Sequence, residues 1–350
     1  LAAVFLWRRQ TQERRRRAHR LVHSPFHTTF PLLPSEAKLM RSFAVSTLTF
    51  FRGDSAAAEV WIRGRTLELM RANPWLTGRL LSAAEDSPYK HKDKDQDKDK
   101  DKDATPVLRV CHQKEVTTPA DIEQYLHVLH SPSLDPSVSY TDLLRGCHPE
   151  LLVKRGVDSL DHSEECLFKV LFIHISADSF ALVVSLSHML GDGSTYYKVY
   201  SMLGEKEPVI AMTVARQLEY QQAAVKMVRL PDLVKSPFFL WRMLLFTVLN
   251  KFYPVCAFLA ELDPTWVAEQ KQQAVQHALQ QQQRSSTASS EPAFVSTNDV
   301  LTSWFVNVLD LDFCIMALNA RQRVPSAAVV GSGSFTILHN ITVYILSYQY

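Results

Sequence analysis

Residues 180–203 (FALVVSLSHMLGDGSTYYKVYSML) predict a buried strand, a polar turn and a helix in direct succession, and this unit constrains the fold more than any other stretch. Residues 180–187 form a short apolar run rich in β-formers, which is typical of a strand covered on both faces. Ser194 or Thr195 can cap the helix that follows, and apolar side chains recur at helical spacing over 196–203. We therefore expect chemistry in the polar turn between strand and helix.

The turn carries two titratable side chains four residues apart. His188 stands at the end of the strand, and Asp192 follows between Gly191 and Gly193. Because an imidazole titrates near neutral pH, a histidine with a carboxylate in the same turn is a candidate for proton transfer. A histidine with a purely structural role fits the same residues, and the turn alone does not separate the two interpretations.

The composition is that of an ordinary globular protein. Of the 350 residues, 46% are hydrophobic and 21% are charged, and this length favours two domains. The formal net charge of +2 provides no strong field for nucleic acid. The 5 cysteines include no C-x-x-C pair, which indicates reduced thiols and argues against a disulfide framework or a cysteine-based zinc site. They are Cys111, Cys147, Cys166, Cys256 and Cys314.

Residues 1–29 form a basic leader, with a short apolar piece before an Arg-rich run and no initial methionine. Such a leader fits the end of a signal or transit segment, a tail that binds phosphate-rich surfaces, or a disordered extension. We expect it to be disordered and to carry no chemistry.

Hydrophobic periodicity predicts the other elements. Strands are expected over 42–51, 106–110, 166–176, 313–318 and 335–350, and helices over 56–72, 211–228 and 266–283. Ser296 or Thr297 can cap a further helix, which carries apolar side chains on one face: Val300, Leu301, Trp304, Phe305 and Val308. The strand at 166–176 and the one that follows form a hairpin with its turn at 177–179. His174, inside the first of these strands, is expected to be a packed core histidine.

Two patterns resemble metal sites, and each has a simpler interpretation. Residues 90–103 (KHKDKDQDKDKDKD) contain no apolar residue and predict a disordered loop, in which each Asp has a Lys neighbour that competes with a metal. A short helix is predicted over 121–130, which would place His127 and His130 one turn apart. Because no third ligand lies nearby, we expect a solvated helix face.

Residues 236–260 (SPFFLWRMLLFTVLNKFYPVCAFLA) are the most apolar part of the chain and are nearly long enough to span a bilayer. Arg242 and Lys251 fall on opposite sides of a helix and Pro254 interrupts it, which makes insertion into lipid costly. We expect a crossover that is buried or docked on the protein, with contact to a membrane as the alternative.

Four motifs occur along the chain in an order that one superfamily shares. Residues 73–80 (NPWLTGRL) resemble the P-x-L-x-G-R-L turn of BAHD-type acyltransferases, and 187–193 (SHMLGDG) match the H-x-x-x-D-G motif of the chloramphenicol-acetyltransferase-like superfamily. Residues 295–304 (VSTNDVLTSW) and 316–325 (MALNARQRVP) resemble the family's S-x-N-D-x-L-T-A-x-x-W helix start and V-N-x-R-x-R-x-P strand end. One short motif arises by chance, whereas four in order indicate a BAHD-like acyltransferase.

The resemblance implies an α/β fold of the chloramphenicol-acetyltransferase type, with two similar domains and mixed sheets. Residues 30–210 would form the N-terminal acyltransferase domain, 211–292 the crossover helices with a Gln- and Ser-rich linker, and 293–350 part of a second domain. The family's late D-F-G-W-G motif is absent, so we expect the second domain to be truncated.

The resemblance also implies roles for the site residues. His188 would be the general base that takes a proton from the acceptor hydroxyl or amine, which then attacks the thioester carbonyl of acyl-CoA. Asp192 and Gly193 would hold the loop, with Asp192 paired to Arg321, or to Arg323 as the alternative. An exposed basic strand end is the other interpretation of the two arginines. The donor-binding region would lie at Ser296, Thr297 and Asn298.

The sequence departs from the family's motifs at two places. Ser187 stands where condensation domains and wax-ester synthases usually carry a first histidine, which favours the BAHD-like branch. Residues 331–335 (GSGSF) stand where the family has a Gly-Asn pair, and no strand–helix context supports a phosphate loop there. No donor for the oxyanion of the tetrahedral intermediate can be named.

The implied activity is transfer of an acyl group, other than an aminoacyl group, from acyl-CoA as co-substrate to a small-molecule alcohol or amine. No bound cofactor, metal or nucleic acid is expected, and we expect a cytoplasmic monomer. Targeting to an organelle or peripheral association with a membrane is the alternative location. Two other functions stay open: a non-catalytic or incomplete binding protein on the same fold, and a membrane-associated lipid acyltransferase.

Overall fold

The computed structural model describes Glu13, Arg17 and residues 20–83, 107–215, 237–249, 262–284, 295–308, 314–318 and 341–345. The chain divides into two compact units, one built mainly from residues before 224 and one from 224–320 and 341–350. Several features of the sequence lie outside the described residues: the Lys/Asp tract at 90–103, the serine-rich link at 285–292, the loop at 331–335, Arg321 and Arg323.

A four-stranded mixed sheet forms the centre of the first unit. Its strands lie in the order β2 (Val45–Arg52), β7 (Ser179–Leu186), β6 (Phe168–His174) and β5 (Leu126–His130). β2 and β6 each pair antiparallel with β7, whereas β5 pairs parallel with β6. The antiparallel pairing of β6 with β7 confirms the predicted hairpin.

The two central strands are buried on both faces of this sheet. Phe172 and Val184 belong to the main hydrophobic cluster on one face, whereas Leu171 and Val183 belong to a second cluster on the other. Successive residues of a strand point to opposite faces, so a strand covered on both sides needs an unbroken apolar run. The two-sided burial predicted for 180–187 is therefore confirmed.

A second sheet and several helices pack against the four-stranded sheet. The antiparallel second sheet has the order β1 (His27–Pro31), β4 (Val107–Gln113) and β3 (Arg79–Ala83). The helices are α1 (Pro34–Ala37), α2 (Ser55–Ala72), α3 (Tyr140–Gly146), α4 (Gly156–Ser159) and α5 (Gly193–Ser201). The last residue of α2 is Ala72, and Asn73 is its C-cap. The helix stops here, as predicted, because the residue before a proline is disfavoured in the α region.

The predicted helix over 121–130 is wrong. A 3-10 turn at Pro119–Ile122 leads instead into β5, which lies beside β6 with Leu126 opposite Val170. This pairing with a strand much later in the chain overrides the local helical propensity. Because strand side chains alternate, His127 and His130 point to opposite faces of the sheet and cannot bind one metal together.

The second unit contains three helices and a pair of antiparallel strands among its described residues. They are α6 (Pro237–Leu249), α7 (Pro264–Arg284), α8 (Thr297–Val308), β8 (Cys314–Leu318) and β9 (Ile341–Ile345). These elements agree with the predicted helices and strands of this region. Residues 211–215, where a helix was expected to begin, are not helical.

The predicted mixed α/β class is confirmed, since helices pack on a sheet that holds both parallel and antiparallel pairs. Within the described ranges, no helix combines the length and the apolar character needed to cross a membrane.

Candidate active site

The turn after β7 exposes one side chain, that of His188. Every other residue from Leu186 to Asp192 is buried, and His188 alone is partly exposed. Met189 and Leu190, which follow it, are 0% exposed. His188 is therefore the residue of this turn that keeps some surface for a dissolved substrate, although its Nδ1 is buried.

Ser187 holds the turn in shape. Its N–H donates to the carbonyl of Leu167 (2.8 Å), and its own carbonyl accepts from the N–H groups of Leu190 (2.9 Å) and Gly191 (3.3 Å). Its Oγ accepts from the N–H of Met189 at 3.2 Å. Ser187 thus has a structural role in the turn. The sequence alone did not indicate this role and used Ser187 only to distinguish branches of the superfamily.

Asp192 is the N-cap of α5. Its Oδ1 accepts from the N–H of Thr195 at 2.9 Å, and the residue is 2% exposed. The predicted cap at Ser194 or Thr195 is wrong, because the helix already begins at Gly193. An aspartate at the N-cap satisfies a free N–H group and places its negative charge at the positive end of the helix dipole. The carboxylate therefore sets how the helix leaves the turn.

Gly191 permits a close approach of the turn to α5. A Cβ at this position would lie 2.5 Å from Cγ2 of Thr195, which leaves no room for a side chain. Its backbone is not left-handed; among the described glycines only Gly53 has a positive φ. The glycine is thus required by packing and not by backbone conformation.

Two tyrosines one turn apart fasten α5 to the sheet. The hydroxyl of Tyr196 donates to the carbonyl of Val184 (3.0 Å) and accepts from Oγ1 of Thr47 (2.5 Å). The hydroxyl of Tyr200 donates to Oγ1 of Thr49 at 2.7 Å. Burial raises the pKa of Tyr196 to about 12, so it remains a neutral donor at physiological pH. The helix that follows His188 is therefore tied to both β2 and β7.

The NPWLTGRL motif packs against the turn that carries His188. A Cβ on Gly78 would lie 2.8 Å from Cδ2 of Leu190. A Cβ on Gly156, the first residue of α4, would lie 3.3 Å from Cγ of Met189. Both residues that follow His188 are therefore held by close contacts to glycines from other elements.

Asn73, which opens that motif, joins the end of α2 to the segment after α5. Its side-chain amide donates to the carbonyls of Leu69 (3.2 Å) and Ile210 (2.9 Å). Its Oδ1 accepts from Nε1 of Trp75 (3.1 Å) and from the N–H of Met212 (2.8 Å). A buried amide with both ends satisfied is a structural group, because leaving such a group unsatisfied is costly.

Arg79 has a similar structural role. It donates to the carbonyls of Thr77 (2.8 Å) and Ser163 (2.9 Å) and to Oε1 of Gln124 (2.9 Å), and it lies over the ring of Tyr125. The arginine of this motif therefore holds loops together and is 7% exposed.

Of the other predicted site residues, Arg321 and Arg323 lie outside the described residues, and Ser296, Thr297 and Asn298 belong to the second unit. Ser296 precedes α8 in the second unit, where its carbonyl accepts from the N–H of Val300 at 3.3 Å. Thr297 and Asn298 form the start of that helix. The donor-binding role of these three residues, and the arginine partner of Asp192, stay predictions.

A second histidine network, which the sequence did not indicate, lies at the other end of the sheet. Nδ1 of His174 bonds Oγ of Ser55 (2.5 Å), and its Nε2 bonds Oε2 of Glu59 (2.8 Å). The Ser–His–Glu order resembles a nucleophile with its base, but Ser55 is 2% exposed. The N–H groups of Ala56 and Ala57, which could stabilise an oxyanion, donate to Oδ1 of Asp54. The network ties α2 to β6 and is not a second active site.

Among the described residues, no group of three or more His, Cys, Asp or Glu side chains could hold a metal ion. Cys111, Cys147 and Cys166 are buried free thiols, as predicted. Burial raises the pKa of the Cys111 thiol to about 11, so this thiol is inert at neutral pH.

No family model matches the sequence, and no curated protein matches it significantly. Several solved structures resemble this chain. TRI101 of F. sporotrichioides, in complex with coenzyme A and T-2, is 13% identical over 91% of this chain and 69% of its own, with a TM-score of 0.45. TRI101 of F. graminearum, in complex with ethyl coenzyme A, is 14% identical over 92% of this chain and 70% of its own, with a TM-score of 0.47.

The starter condensation domain of the rhizomide synthetase RzmA is 10% identical over 92% of this chain and 68% of its own, with a TM-score of 0.37. All three TM-scores are below 0.5. The similarities therefore assign neither an activity nor a substrate to this chain.

Proposed function

We propose that this chain is an acyltransferase that moves an acyl group from a CoA thioester to a hydroxyl or amine of a small molecule, with His188 as the general base. The observation that carries the proposal is the partial exposure of His188 in a turn whose other residues, from Leu186 to Asp192, are buried. The H-x-x-x-D-G pattern and three further motifs in order support the assignment.

The proposed reaction requires one proton carrier. The neutral imidazole of His188 accepts the proton of the acceptor as its oxygen or nitrogen attacks the thioester carbonyl. The tetrahedral intermediate collapses, the carbon–sulfur bond breaks, and the leaving thiolate takes the proton from the imidazolium. A positioned general base contributes roughly 10²–10⁴-fold to such a step.

The surroundings of His188 suit this role, because a general base must be held within hydrogen-bond distance of the proton that it takes. Ser187 fixes the turn through its hydroxyl and both backbone groups, and Asp192 caps the helix that follows. As the general base, His188 would therefore be held in a rigid turn.

We further propose that Asp192 pairs with Arg321, or with Arg323 as the alternative. A carboxylate accepts several hydrogen bonds at once, and the cap N–H of Thr195 is one donor to Asp192. A guanidinium bound to the same group would add charge-assisted hydrogen bonds to the turn. A double-mutant cycle with Asp192→Asn and Arg321→Gln would show a coupling of about 1 kcal/mol or more in unfolding free energy. The same cycle with Arg323→Gln distinguishes the two partners: additivity there assigns the pair to Arg321, whereas coupling there with additivity at Arg321 assigns it to Arg323.

The principal test measures thiol release by the purified full chain, with acetyl-CoA and longer acyl-CoA donors and a panel of alcohols and amines. His188→Ala is expected to lower turnover by at least about 100-fold while the unfolding temperature stays unchanged. His127→Ala, a partly exposed histidine on β5, should retain turnover and serves as the matched control.

Unchanged turnover of His188→Ala would exclude this residue as the base. A wild-type chain that binds acyl-CoA in equilibrium dialysis but transfers to no acceptor would instead be a non-catalytic binding protein.

A further inference from the structure

Helix α6 presents a continuous apolar face to solvent. Leu240, Trp241, Leu244, Leu245 and Val248 are each between 40% and 62% exposed. At 3.6 residues per turn, these five side chains fall within an arc of about 140° around the helix axis. We call them the α6 apolar face. Contiguous exposed apolar surface of this kind marks an interaction site.

The charged residues within and beside α6 in the sequence are all basic. Between Asp232 and Glu261 the sequence contains Lys235, Arg242 and Lys251 and no acidic residue. The whole chain, by contrast, is almost balanced, with 38 Lys and Arg against 36 Asp and Glu. This local excess complements an anionic surface, whereas a second copy of the same face would bring like charges together.

The residue types and the length of α6 fit a lipid surface. Trp241 lies among leucines, and tryptophan favours the boundary between headgroups and acyl chains. The 13 residues of the helix extend about 20 Å, which is less than the ~30 Å hydrocarbon core of a bilayer. Such a helix lies along a membrane surface with its apolar side chains at the boundary and its basic residues near the headgroups.

We propose that the α6 apolar face docks this protein on an anionic membrane surface. Apolar burial and attraction of the flanking basic residues to anionic headgroups act together in this mode of binding. The proposal is independent of the proposed acyl transfer, because it requires only the described helix and the basic residues within and next to it in the sequence.

Flotation of the full chain with lipid vesicles tests the proposed membrane docking directly. One set of vesicles is phosphatidylcholine with about one third phosphatidylserine, and the other is phosphatidylcholine alone. We expect the wild type to float with the anionic vesicles, and its partition to be at least about tenfold lower on neutral vesicles or at high salt.

The double variant Trp241→Glu/Leu244→Glu should lower partition to anionic vesicles by at least about tenfold, because two apolar anchors are lost and negative charge is added. Leu279→Glu is the matched control: this leucine is 44% exposed on α7 of the same unit, and its substitution should leave partition unchanged. Circular dichroism and the unfolding temperature of each variant confirm folding.

A wild type that does not float, or a double variant that floats as well as the wild type, would overturn the proposal. Self-association that the double variant abolishes, without vesicle binding, would assign the α6 apolar face to a second copy and would likewise overturn it. Vesicle binding by a chain without acyl transfer would support docking and contradict only the proposed function.

Discussion

Gly78 and Leu190 approach so closely that a Cβ on Gly78 would lie 2.8 Å from Cδ2 of Leu190. The first residue belongs to the turn before β3, and the second follows His188 by two positions. Two motifs that are far apart in the sequence therefore form one packed unit. If His188 acts as the general base, Gly78 is a positioning residue that acts on it through Leu190.

Gly78→Ala should destabilise the protein by about 1–3 kcal/mol, because the added methyl forces Leu190 or Val110 to move. Urea unfolding measures the loss. Gly64→Ala is the matched control, since a Cβ at Gly64 has no atom within 4 Å. Alanine inside α2 should stabilise the protein by about 0.5–1 kcal/mol. Equal stability of Gly78→Ala and the wild type would contradict the close packing.

Asp192→Ala should lower the unfolding free energy by about 1–2 kcal/mol through loss of the N-cap. Asp192→Asn keeps an accepting oxygen and should cost less. Asp54→Ala removes the exposed N-cap of α2 and should cost about 1 kcal/mol without changing acyl transfer per folded molecule. The two caps are compared by urea unfolding together with turnover. Identical losses for the Ala and Asn variants at position 192 would show that charge, and not the cap, stabilises the turn.

Tyr196→Phe should destabilise the protein by about 1–2 kcal/mol, because Oγ1 of Thr47 and the carbonyl of Val184 lose a buried partner. Tyr197→Phe is a control on the same helix, where the side chain is 64% exposed, and should leave stability within about 0.5 kcal/mol of the wild type. Thermal unfolding followed by circular dichroism distinguishes the two. A Tyr196→Phe variant as stable as Tyr197→Phe would refute the proposed anchoring of α5.

The Glu59–His174 bond should make stability depend on pH in the acid range. Burial alone would raise the pKa of Glu59, but hydrogen bonds from Arg63 and His174 outweigh it and lower the pKa below its ordinary value of 4.5. A carboxyl group with a depressed pKa in the folded state contributes stability above its unfolded pKa, and that contribution is lost as the pH falls through the folded value.

Glu59→Gln keeps the shape of the side chain and removes its charge. At neutral pH the variant should be less stable than the wild type by at most about 1 kcal/mol, because the side chain is partly solvated. The difference should shrink once the pH falls below 4.5, the ordinary pKa of the group. Urea unfolding at neutral and acid pH checks this, and a difference that does not vary with pH would count against hydrogen bonding to the ionised carboxylate of Glu59.

Predictions from the sequence succeeded where the signal was local and failed where a distant partner decided the outcome. Residues 126–130 carry weak local preferences, and they became a strand because β6 offers a parallel edge. The sequence predicted the N-cap of α5 at Ser194 or Thr195, which is too late in the chain. Local sequence could not separate these residues from Asp192, because all three are suitable capping residues. Only the path of the backbone brings the carboxylate of Asp192 to the N–H of Thr195.

By itself, the sequence determined the strand, turn and helix of residues 180–203 and the presence of His188 in that turn, because hydrophobic periodicity and turn residues are signals within one segment. The tertiary structure decided which groups meet: Gly78 with Leu190, Tyr196 with Thr47, and Glu59 with His174. It also decided that His188 is partly exposed while its neighbours are buried. Contact and exposure depend on residues from other elements, and that information is not contained in any single stretch of the chain.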